Sequence, residues 1–344
     1  MAWSRFAVAL LMVVQCAQPI AAQEVRTIPT APSCTTCRIT FTPTVRLGDL
    51  DGPGQVSDQA AIARGPDGRF YLTSNYAPGQ VAIFSAEGRY VRSFGGQGNG
   101  PGEYQVPTMV VAEQDAVTVF DEQSMRVTRL NADLSHVYTH DLGLRPGGAV
   151  AVGTGEFVVL AMLPRPERAV PLHLYSASER RMLSSFGDFA TRDARGRVVG
   201  RLREVASGPD GTIWVLSSPG YRLEQWNVRT QTRVLVLERT GMDGSRIWSI
   251  VHGADGLLWV LSHVRSAAWR TPTVDERGVV SDAQDDANQD SVVDVIQPVT
   301  GELIATGRFR GRLLRFLGPG WTYRYIEDAG GNPGYRIYRV ALQR

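Results

Sequence analysis

Residues 94–107 have the sequence F-G-G-Q-G-N-G-P-G-E-Y-Q-V-P, a run of glycines that ends in an acidic residue, an aromatic residue and a proline. On either side, segments 62–94 and 108–142 show the same order of predicted strands and turns. A glycine-rich connection between two copies of an antiparallel β-unit is typical of radial β-repeats. The stretch precedes a strand and no helix, so it lacks the context of a phosphate-binding loop. It therefore predicts a repeat architecture.

The repeat continues around the chain through turns of the Asp-Gly type at 65–68, 208–211 and 253–256. The last two are separated by about 40–45 residues, the length of a four-stranded propeller blade. The segments after them, 213–216 and 258–261, are almost entirely apolar, which predicts strands covered on both faces. We predict an all-β fold, a six-bladed β-propeller of four-stranded antiparallel blades.

The segment 38–47 alternates apolar and polar residues and contains Pro43, a pattern that predicts an edge or outer strand. It lies before the first complete unit of the repeat. We expect it to pair into the last blade and close the ring, which would leave no exposed sheet edge. A single propeller domain would then cover residues 38–344.

The glycine-rich connection, Pro107 at the start of an innermost strand and the Asp-Gly turns before aromatic strands together resemble the NHL-type six-bladed β-propellers of the TolB-like and NHL-like superfamily. The resemblance covers roughly residues 38–344. It implies a fold and no particular reaction, because that superfamily includes binding modules, lactonases and lyases. Several bacterial exported members have no assigned activity.

The first 22 residues predict a cleaved secretory signal, with Arg5 before a short apolar run and Pro19-Ile20-Ala21-Ala22 as the cleavage site. The apolar run is too short to span a bilayer. Gln15 occupies the place where a lipoprotein has a small residue, which argues against lipidation of Cys16. We therefore expect a secreted or periplasmic protein with no membrane span.

Residues 23–37 form a predicted tail that contains Cys34 and Cys37 in the sequence C-T-T-C. A disulfide is the default for an exported protein. A redox-active pair would open a helix in a thioredoxin-like unit, haem attachment needs a histidine at position 38, and zinc needs further ligands. We predict a small disulfide loop, with the redox alternative less favoured by this context.

The formal net charge is +2, and all 36 basic residues are arginine. This balance gives no field that would favour nucleic acid or an anionic membrane. Coding bias explains the absence of lysine, although bidentate recognition of anions by arginine is the functional alternative.

In the resembling propellers, ligands bind at one mouth of the central channel, to residues that enter the innermost strands or follow the second strands. The polar residues at those places are Asp58, Asn75, Gln105, Asp121, Glu122, Arg203, Glu204, Arg246 and His263. We take Asn75, Gln105, Asp121, Arg203 and Arg246 as candidate ligand-binding residues. Glu204 and His263 are candidate catalytic residues, with a hydrogen-bonded structural role as the alternative for His263 and also for His252.

The insertion 265–291 interrupts the repeat and ends in an acidic run. Asp286, Asn288 and Asp290 have the spacing at the start of a calcium loop, but Ser291 replaces the required glycine and Gln297 the bidentate glutamate. We favour a solvated, disordered acidic loop over a calcium site. The sequence thus predicts no cofactor. If the acidic run were instead a metal site, the ion bound there would be a divalent metal such as calcium.

The sequence favours a binding or scaffold module whose ligand, a protein, small molecule or carbohydrate, binds at the channel mouth. The alternative is a metal-dependent lactonase or other hydrolase, or a lyase, built on the same mouth. The lactonase would use carboxylate and amide oxygens such as those of Glu204, Asn75 and Asp121 on one divalent ion. We expect a monomer.

Overall fold

The computed structural model describes residues 24–57, 60–73, 78–161, 171–188, 191–192, 198–199, 201–218, 220–239, 246–273, 280 and 282–344. Within them, six four-stranded antiparallel blades follow one another along the chain, as predicted. Two strands precede the blades, β1 (Glu24–Thr27) and β2 (Arg38–Leu47). A single 3-10 turn, Gly52–Gly54, follows them.

The first three blades occupy the chain to residue 186. Their strands are β3 (Ala61–Arg64), β4 (Phe70–Thr73), β5 (Gln80–Phe84) and β6 (Tyr90–Gly95) in blade 1; β7 (Pro107–Ala112), β8 (Ala116–Asp121), β9 (Arg126–Asn131) and β10 (His136–Asp141) in blade 2; and β11 (Pro146–Gly153), β12 (Glu156–Ala161), β13 (Leu172–Ser176) and β14 (Arg181–Phe186) in blade 3. A small hairpin follows, made of β15 (Thr191–Arg192) and β16 (Val198–Val199).

The last three blades complete the ring. Their strands are β17 (Arg201–Ser207), β18 (Thr212–Ser218), β19 (Tyr221–Asn227) and β20 (Thr232–Arg239) in blade 4; β21 (Arg246–His252), β22 (Leu258–Arg265), β23 (Gln289–Gln297) and β24 (Glu302–Phe309) in blade 5; and β25 (Arg315–Phe316), β26 (Trp321–Glu327) and β27 (Pro333–Gln343) in blade 6. A helix, α1 (Asp282–Asn288), lies between β22 and β23.

The hydrophobic core of the described residues is divided into six clusters, one in each seam between neighbouring blades. Successive residues of a strand point to opposite faces, so each blade contributes to two seams. In β18, for example, Trp214 packs toward blade 5 while Ile213 and Val215 pack toward blade 3. This confirms that the apolar second strands are covered on both faces.

Strand β2 pairs antiparallel with β27 and supplies the fourth strand of blade 6. The prediction that an N-terminal strand closes the last blade is therefore confirmed. Leu47, at the end of β2, is fully buried in the seam between blades 6 and 1. The ring is thus held by contacts between the two ends of the described chain.

The segment predicted as a tail instead contains strand β1, which pairs in parallel with β20 on the outer edge of blade 4. We call residues 24–37 the N-terminal strap. Its backbone continues across blade 5, where the N–H of Ser33 donates to the carbonyl of Leu303 at 2.8 Å. The strap buries Ile28 in the seam between blades 4 and 5. Strand β1 was not predicted because a parallel edge strand of four residues carries no turn signal.

The glycine-rich stretch crosses from β6 to β7 in a compact turn. The N–H of Tyr104 donates to the carbonyl of Gly96, and the N–H of Gly98 donates to the carbonyl of Tyr104. Tyr104 is buried between blades 1 and 2, and the Glu103 carboxylate accepts the Gly100 N–H at 2.7 Å. The stretch is therefore a structural crossing between blades.

We expect Gly95→Ala to destabilise the fold strongly. Gly95 has φ +85°, and an added Cβ would lie 2.7 Å from both the Gly79 carbonyl oxygen and the Tyr104 ring. Overpacking and the positive φ together predict a loss of about 2–5 kcal/mol in the free energy of unfolding. Gly102→Ala is the matched control, because Gly102 has φ +75° and no atom within 4 Å of its Cβ. Urea denaturation showing equal losses in both variants would contradict the packing argument.

The insertion 265–291 was predicted to be a disordered loop, and this is wrong for its last part. Residues 282–288 form α1 and residues 289–291 begin β23. The Asp286 carboxylate accepts the N–H of Arg312 and pairs with Arg324 of blade 6. The acidic run is ordered because arginines that are distant in sequence neutralise it.

Candidate functional site

The six innermost strands, β3, β7, β11, β17, β21 and β25, surround a central channel with a cavity of about 610 Å³. Small residues such as Ala61, Gly148 and Ala206 form much of its wall. This volume lies within the usual range for small-molecule sites, about 300–1,000 Å³. The channel is therefore large enough for a ligand.

The innermost strands all begin at the same end of the channel, which we call the entry mouth. Arginine is the first residue of β17, β21 and β25 (Arg201, Arg246 and Arg315), and Arg145 directly precedes β11. Four of the six blades thus place an arginine where the innermost strand starts. Arg145 forms an ion pair with Glu122 at 2.5 Å.

The other end, the turn mouth, carries the turns that join each innermost strand to the second strand. Exposed aspartates occupy these turns in four blades, at Asp67, Asp115, Asp210 and Asp255. The Asp255 carboxylate accepts the N–H of Leu257 and thereby stabilises its own turn. Along the chain, arginine therefore recurs where innermost strands start and aspartate recurs in the turns, while the carboxylates of Glu122 and Glu204 also line the channel.

Glu204, on β17, lines the channel and joins three blades through hydrogen bonds. Its Oε1 accepts the hydroxyl of Ser249 on β21 at 2.7 Å, and that hydroxyl accepts the N–H of Phe316 on β25 at 3.1 Å. Its Oε2 is buried and accepts no hydrogen bond from the described residues. Burial raises the pKa of Glu204 above its usual range, although the Arg315 charge and the Ser249 hydroxyl oppose the shift.

Arg315 is exposed to the channel at the entry mouth, and no hydrogen bond joins its guanidinium to any residue that the structure describes. The negative charge of Glu204 raises the pKa of Arg315 above its usual range, so the guanidinium is fully charged. The channel therefore contains the Arg315 guanidinium, whose N–H donors are available to a ligand. It also contains the Glu204 carboxyl group, of which one oxygen is hydrogen-bonded and the other is not.

The raised pKa of Glu204 predicts a pH-dependent contribution to stability. The unfolded carboxyl titrates near pH 4.3, about the value of a free glutamate, and the folded one titrates higher. The folded state therefore holds the proton of Glu204 more tightly than the unfolded state does. This preference stabilises the fold fully below the unfolded pKa, and the stabilisation is lost as the pH rises through the folded pKa. The free energy of unfolding of the wild type should thus fall relative to that of Glu204→Gln between pH 4 and pH 8, by about 1.4 kcal/mol for each unit of pKa elevation. Urea titrations that give a constant or growing difference would contradict this.

Asp121 is buried at the end of β8 and has a structural role. Its carboxylate accepts backbone N–H groups from Gln105 at 2.6 Å, from Val106 at 3.0 Å and from Ser124 at 3.1 Å. Burial raises the pKa of Asp121, but these backbone donors outweigh burial and lower it below its usual value. The Gln105 side chain bonds to Asn99 on the surface. Asp121 holds the start of β7 in place, because both of its carboxylate oxygens accept hydrogen bonds from the backbone there.

His263 is buried beneath the mouth and does not face the channel. Its Nε2 donates to the Leu313 carbonyl at 2.7 Å, and its ring lies 5.2 Å from that of Trp248, which lines the channel. This arrangement supports the structural alternative for His263. His252 lines the channel at the opposite end, toward the turn mouth, and burial lowers its pKa against the raising effect of Asp255.

Of the remaining polar candidates, Asn75 and Asp58 lie outside the described residues, and Arg203 and Arg246 are described by their strand positions alone. Arg203 lies on β17 near the entry mouth, at an irregularity just before the residue that pairs with Leu216. Arg246 is the first residue of β21 and pairs with His263. Their backbone positions agree with the predicted side of the ring.

The candidate calcium ligands bond to protein donors. Asn288 accepts the N–H of Arg270 at 2.7 Å, and Asp290 accepts the N–H of Gly311 at 3.0 Å and pairs with Arg308. Burial raises the pKa of Asp286 despite its arginine partners. In the described part of the chain, no three His, Cys, Asp or Glu side chains come together in a way that could hold a metal ion. Glu204 and Asp121 are accordingly not joined in one ligand set.

Cys34 and Cys37 form the predicted disulfide. Cys37 is buried at the seam between blades 5 and 6, with Cys34 packed beside it. The disulfide loop thus fixes the strap just before β2.

Arg315 and Ser249 were not among the candidates. Arg315 follows the same rule that selected Arg246, because it is the first residue of an innermost strand. Strand β25 has only two residues, which is too short to give a pattern in the sequence. Ser249 carries no sequence signal, since its role depends on a neighbouring blade.

A family model described as a 6-bladed beta-propeller matches residues 64–157, which cover most of blade 1, blade 2 and the start of blade 3. The match agrees with the blade count, and the narrower NHL type stays a prediction. Comparison with curated proteins found no match.

Solved structures show the same architecture at low sequence identity. A predicted exported protein from Bacteroides fragilis is 9% identical with a TM-score of 0.59, over 93% of this chain and all of that one. Hydrazine synthase from Kuenenia stuttgartiensis is 12% identical with a TM-score of 0.51, over 80% and 76% of the two chains. A streptogramin B lyase, 10% identical over 89% and 98% of the chains, has a TM-score of only 0.46 and lends no support to a lyase activity. These likenesses concern the fold.

No helix in the described ranges is both long enough and apolar enough to cross a membrane.

Proposed function

We propose that the protein is an exported binding module that takes its ligand at the entry mouth of the central channel. The observation that carries this proposal is the channel itself: a cavity of about 610 Å³ lined by Arg315, whose guanidinium has no hydrogen bond to the described protein. A few polar groups converging in a largely apolar cavity are the usual composition of a small-molecule site.

Export is supported by three observations. The first 22 residues have the pattern of a secretory signal, the strap contains a disulfide, and a structure with the same architecture belongs to a predicted exported protein. The channel suits a small molecule or a carbohydrate unit better than a folded partner, because its cavity of about 610 Å³ is of the size that small-molecule sites have.

The metal-dependent lactonase and the lyase find less support in the described residues. Asp121 accepts several backbone N–H groups, and Glu204 bonds to Ser249. Recruiting either to a metal would break these bonds. His263, the candidate base, donates to a carbonyl below the wall. The arrangement therefore favours binding over catalysis.

A channel-filling substitution tests the proposal. Ala61 lines the channel at the start of β3, so Ala61→Trp should obstruct the entry mouth. Val91→Trp, at an exposed position on the outer strand β6, is the matched control. Thermal unfolding is measured with a panel of neutral sugars, sugar acids and amino acids, after circular dichroism has shown that both variants are folded.

We expect at least one compound to raise the Tm of the wild type and of Val91→Trp but not that of Ala61→Trp. A ligand at about 100 times its Kd stabilises by about 2.7 kcal/mol, which is readily measured. If every compound that acts shifts all three proteins equally, binding does not occur in the channel.

A further inference from the structure

The arginines around blade 6 differ in how their charges are compensated. Arg324 pairs with Asp286, and Arg308 pairs with Asp290 at 2.7 Å. Arg315 lines the channel without a hydrogen bond from its guanidinium to any described residue. A planar fork of donors in a confined cavity is suited to bidentate contact with a carboxylate.

Glu204 forms no hydrogen bond with the guanidinium N–H groups of Arg315. Its charge acts on Arg315 electrostatically, but its Oε1 is directed to Ser249 and its Oε2 is buried. Arg315 therefore keeps its donors for a group that enters from the mouth, while the nearby carboxyl competes with that group only through its charge.

The placement of other charges favours the same kind of ligand. Arginine begins β17, β21 and β25 at the entry mouth, whereas aspartates occupy the turns of the turn mouth. Glu122 and Glu204 also line the channel, but Glu122 pairs with Arg145 and Glu204 accepts a hydrogen bond from Ser249. The Arg315 guanidinium has no hydrogen-bond partner among the described residues, so its charge can attract an anion into the channel.

We infer that the ligand of the entry mouth is a small organic anion whose carboxylate is bound by the guanidinium of Arg315. This inference rests on the proposed binding function and specifies its ligand class. The remainder of the ligand occupies the channel between the small residues of the innermost strands.

Isothermal titration calorimetry at constant ionic strength tests the assignment. The probes are galacturonate, citrate and benzoate, with galactose as the neutral counterpart of galacturonate. The variants are Arg315→Gln, Glu204→Gln and, as the matched control, Arg310→Gln, which removes the same charge from an exposed position outside the channel.

At least one carboxylate should bind the wild type, and Arg315→Gln should weaken it about tenfold or more, as expected for a charged hydrogen-bond donor. Arg310→Gln should change the affinity by less than about twofold, since a solvent-exposed charge that does not line the channel is screened. Glu204→Gln should bind equally or more tightly, because it removes a competing negative charge. Galactose should bind more weakly than galacturonate.

Three outcomes would overturn the assignment: no carboxylate binds, Arg315→Gln binds as the wild type does, or Glu204→Gln weakens binding as much as Arg315→Gln. The last result would indicate a cationic group held by Glu204. If a neutral or cationic compound acts in the thermal assay and loses its effect in Ala61→Trp, the binding function survives and only the ligand class is wrong. If no compound distinguishes Ala61→Trp, both proposals fail.

Discussion

A protein that begins at residue 48 is expected not to fold into the native ring. It lacks β2, which forms the fourth strand of blade 6 and pairs along β27. Leu47 would be lost from the seam with blade 1, and the Phe41–Phe309 ring contact from the seam with blade 5. The loss should be comparable to the whole stability of a domain, about 5–15 kcal/mol. Near-ultraviolet circular dichroism and urea denaturation would show no cooperative transition.

A protein that begins at residue 38 is the matched control, because it keeps β2 and lacks only the strap. It should fold, with a free energy of unfolding lowered by about 1.5–3 kcal/mol for the burial of Ile28. Cooperative unfolding of the shorter protein at the same urea concentration as the control would show that β2 does not close the ring.

Asp294→Ala should cost about 3–5 kcal/mol, because removing one partner of a buried ion pair leaves the other charge uncompensated. Asp294 is fully buried on β23 and accepts hydrogen bonds from the Tyr221 hydroxyl at 3.0 Å and from Arg239 at 2.6 Å. Arg239 also donates to the Thr30 carbonyl of the strap. The carboxylate thereby ties blade 5 to blade 4 and to the strap.

Two variants control for this measurement. Glu179→Ala removes an exposed partner of Arg181 and should cost at most about 1 kcal/mol. Adding Arg239→Met to Asp294→Ala should recover part of the loss, because no unpaired charge remains buried. If chemical denaturation shows no recovery in the double variant, the cost of Asp294→Ala does not arise from the stranded charge.

The fold was predictable because its signals are local and repeated. Asp-Gly turns and apolar second strands recur at the blade period, and the alternation in 38–47 marked the closing strand. Strand β1 and helix α1 were not predictable in this way. The strap is held by Ile28 and by backbone bonds to another blade, and α1 is held by pairs such as Asp286 with Arg324, which are distant in the sequence.

The end of the channel at which the innermost strands start was predictable, and which polar residues have unused hydrogen-bonding groups there was not. The start of each innermost strand was correctly expected to lie at one mouth, which is where Arg315 is found. Asp121 was a candidate because it is a polar residue at the end of a second strand, yet its carboxylate accepts backbone N–H groups from Gln105 and Val106. Whether a polar residue is free for a ligand depends on contacts between blades, and a repeat pattern does not encode those contacts.

The central claim is that a ligand binds at the entry mouth. Hydrogen–deuterium exchange, followed by mass spectrometry with and without a saturating carboxylate probe, tests it most directly. We predict slower exchange in the segments that begin β17, β21 and β25, including Arg315, and unchanged exchange in the turns at 65–68, 208–211 and 253–256. Protection confined to those turns or to the outer strands would contradict the claim.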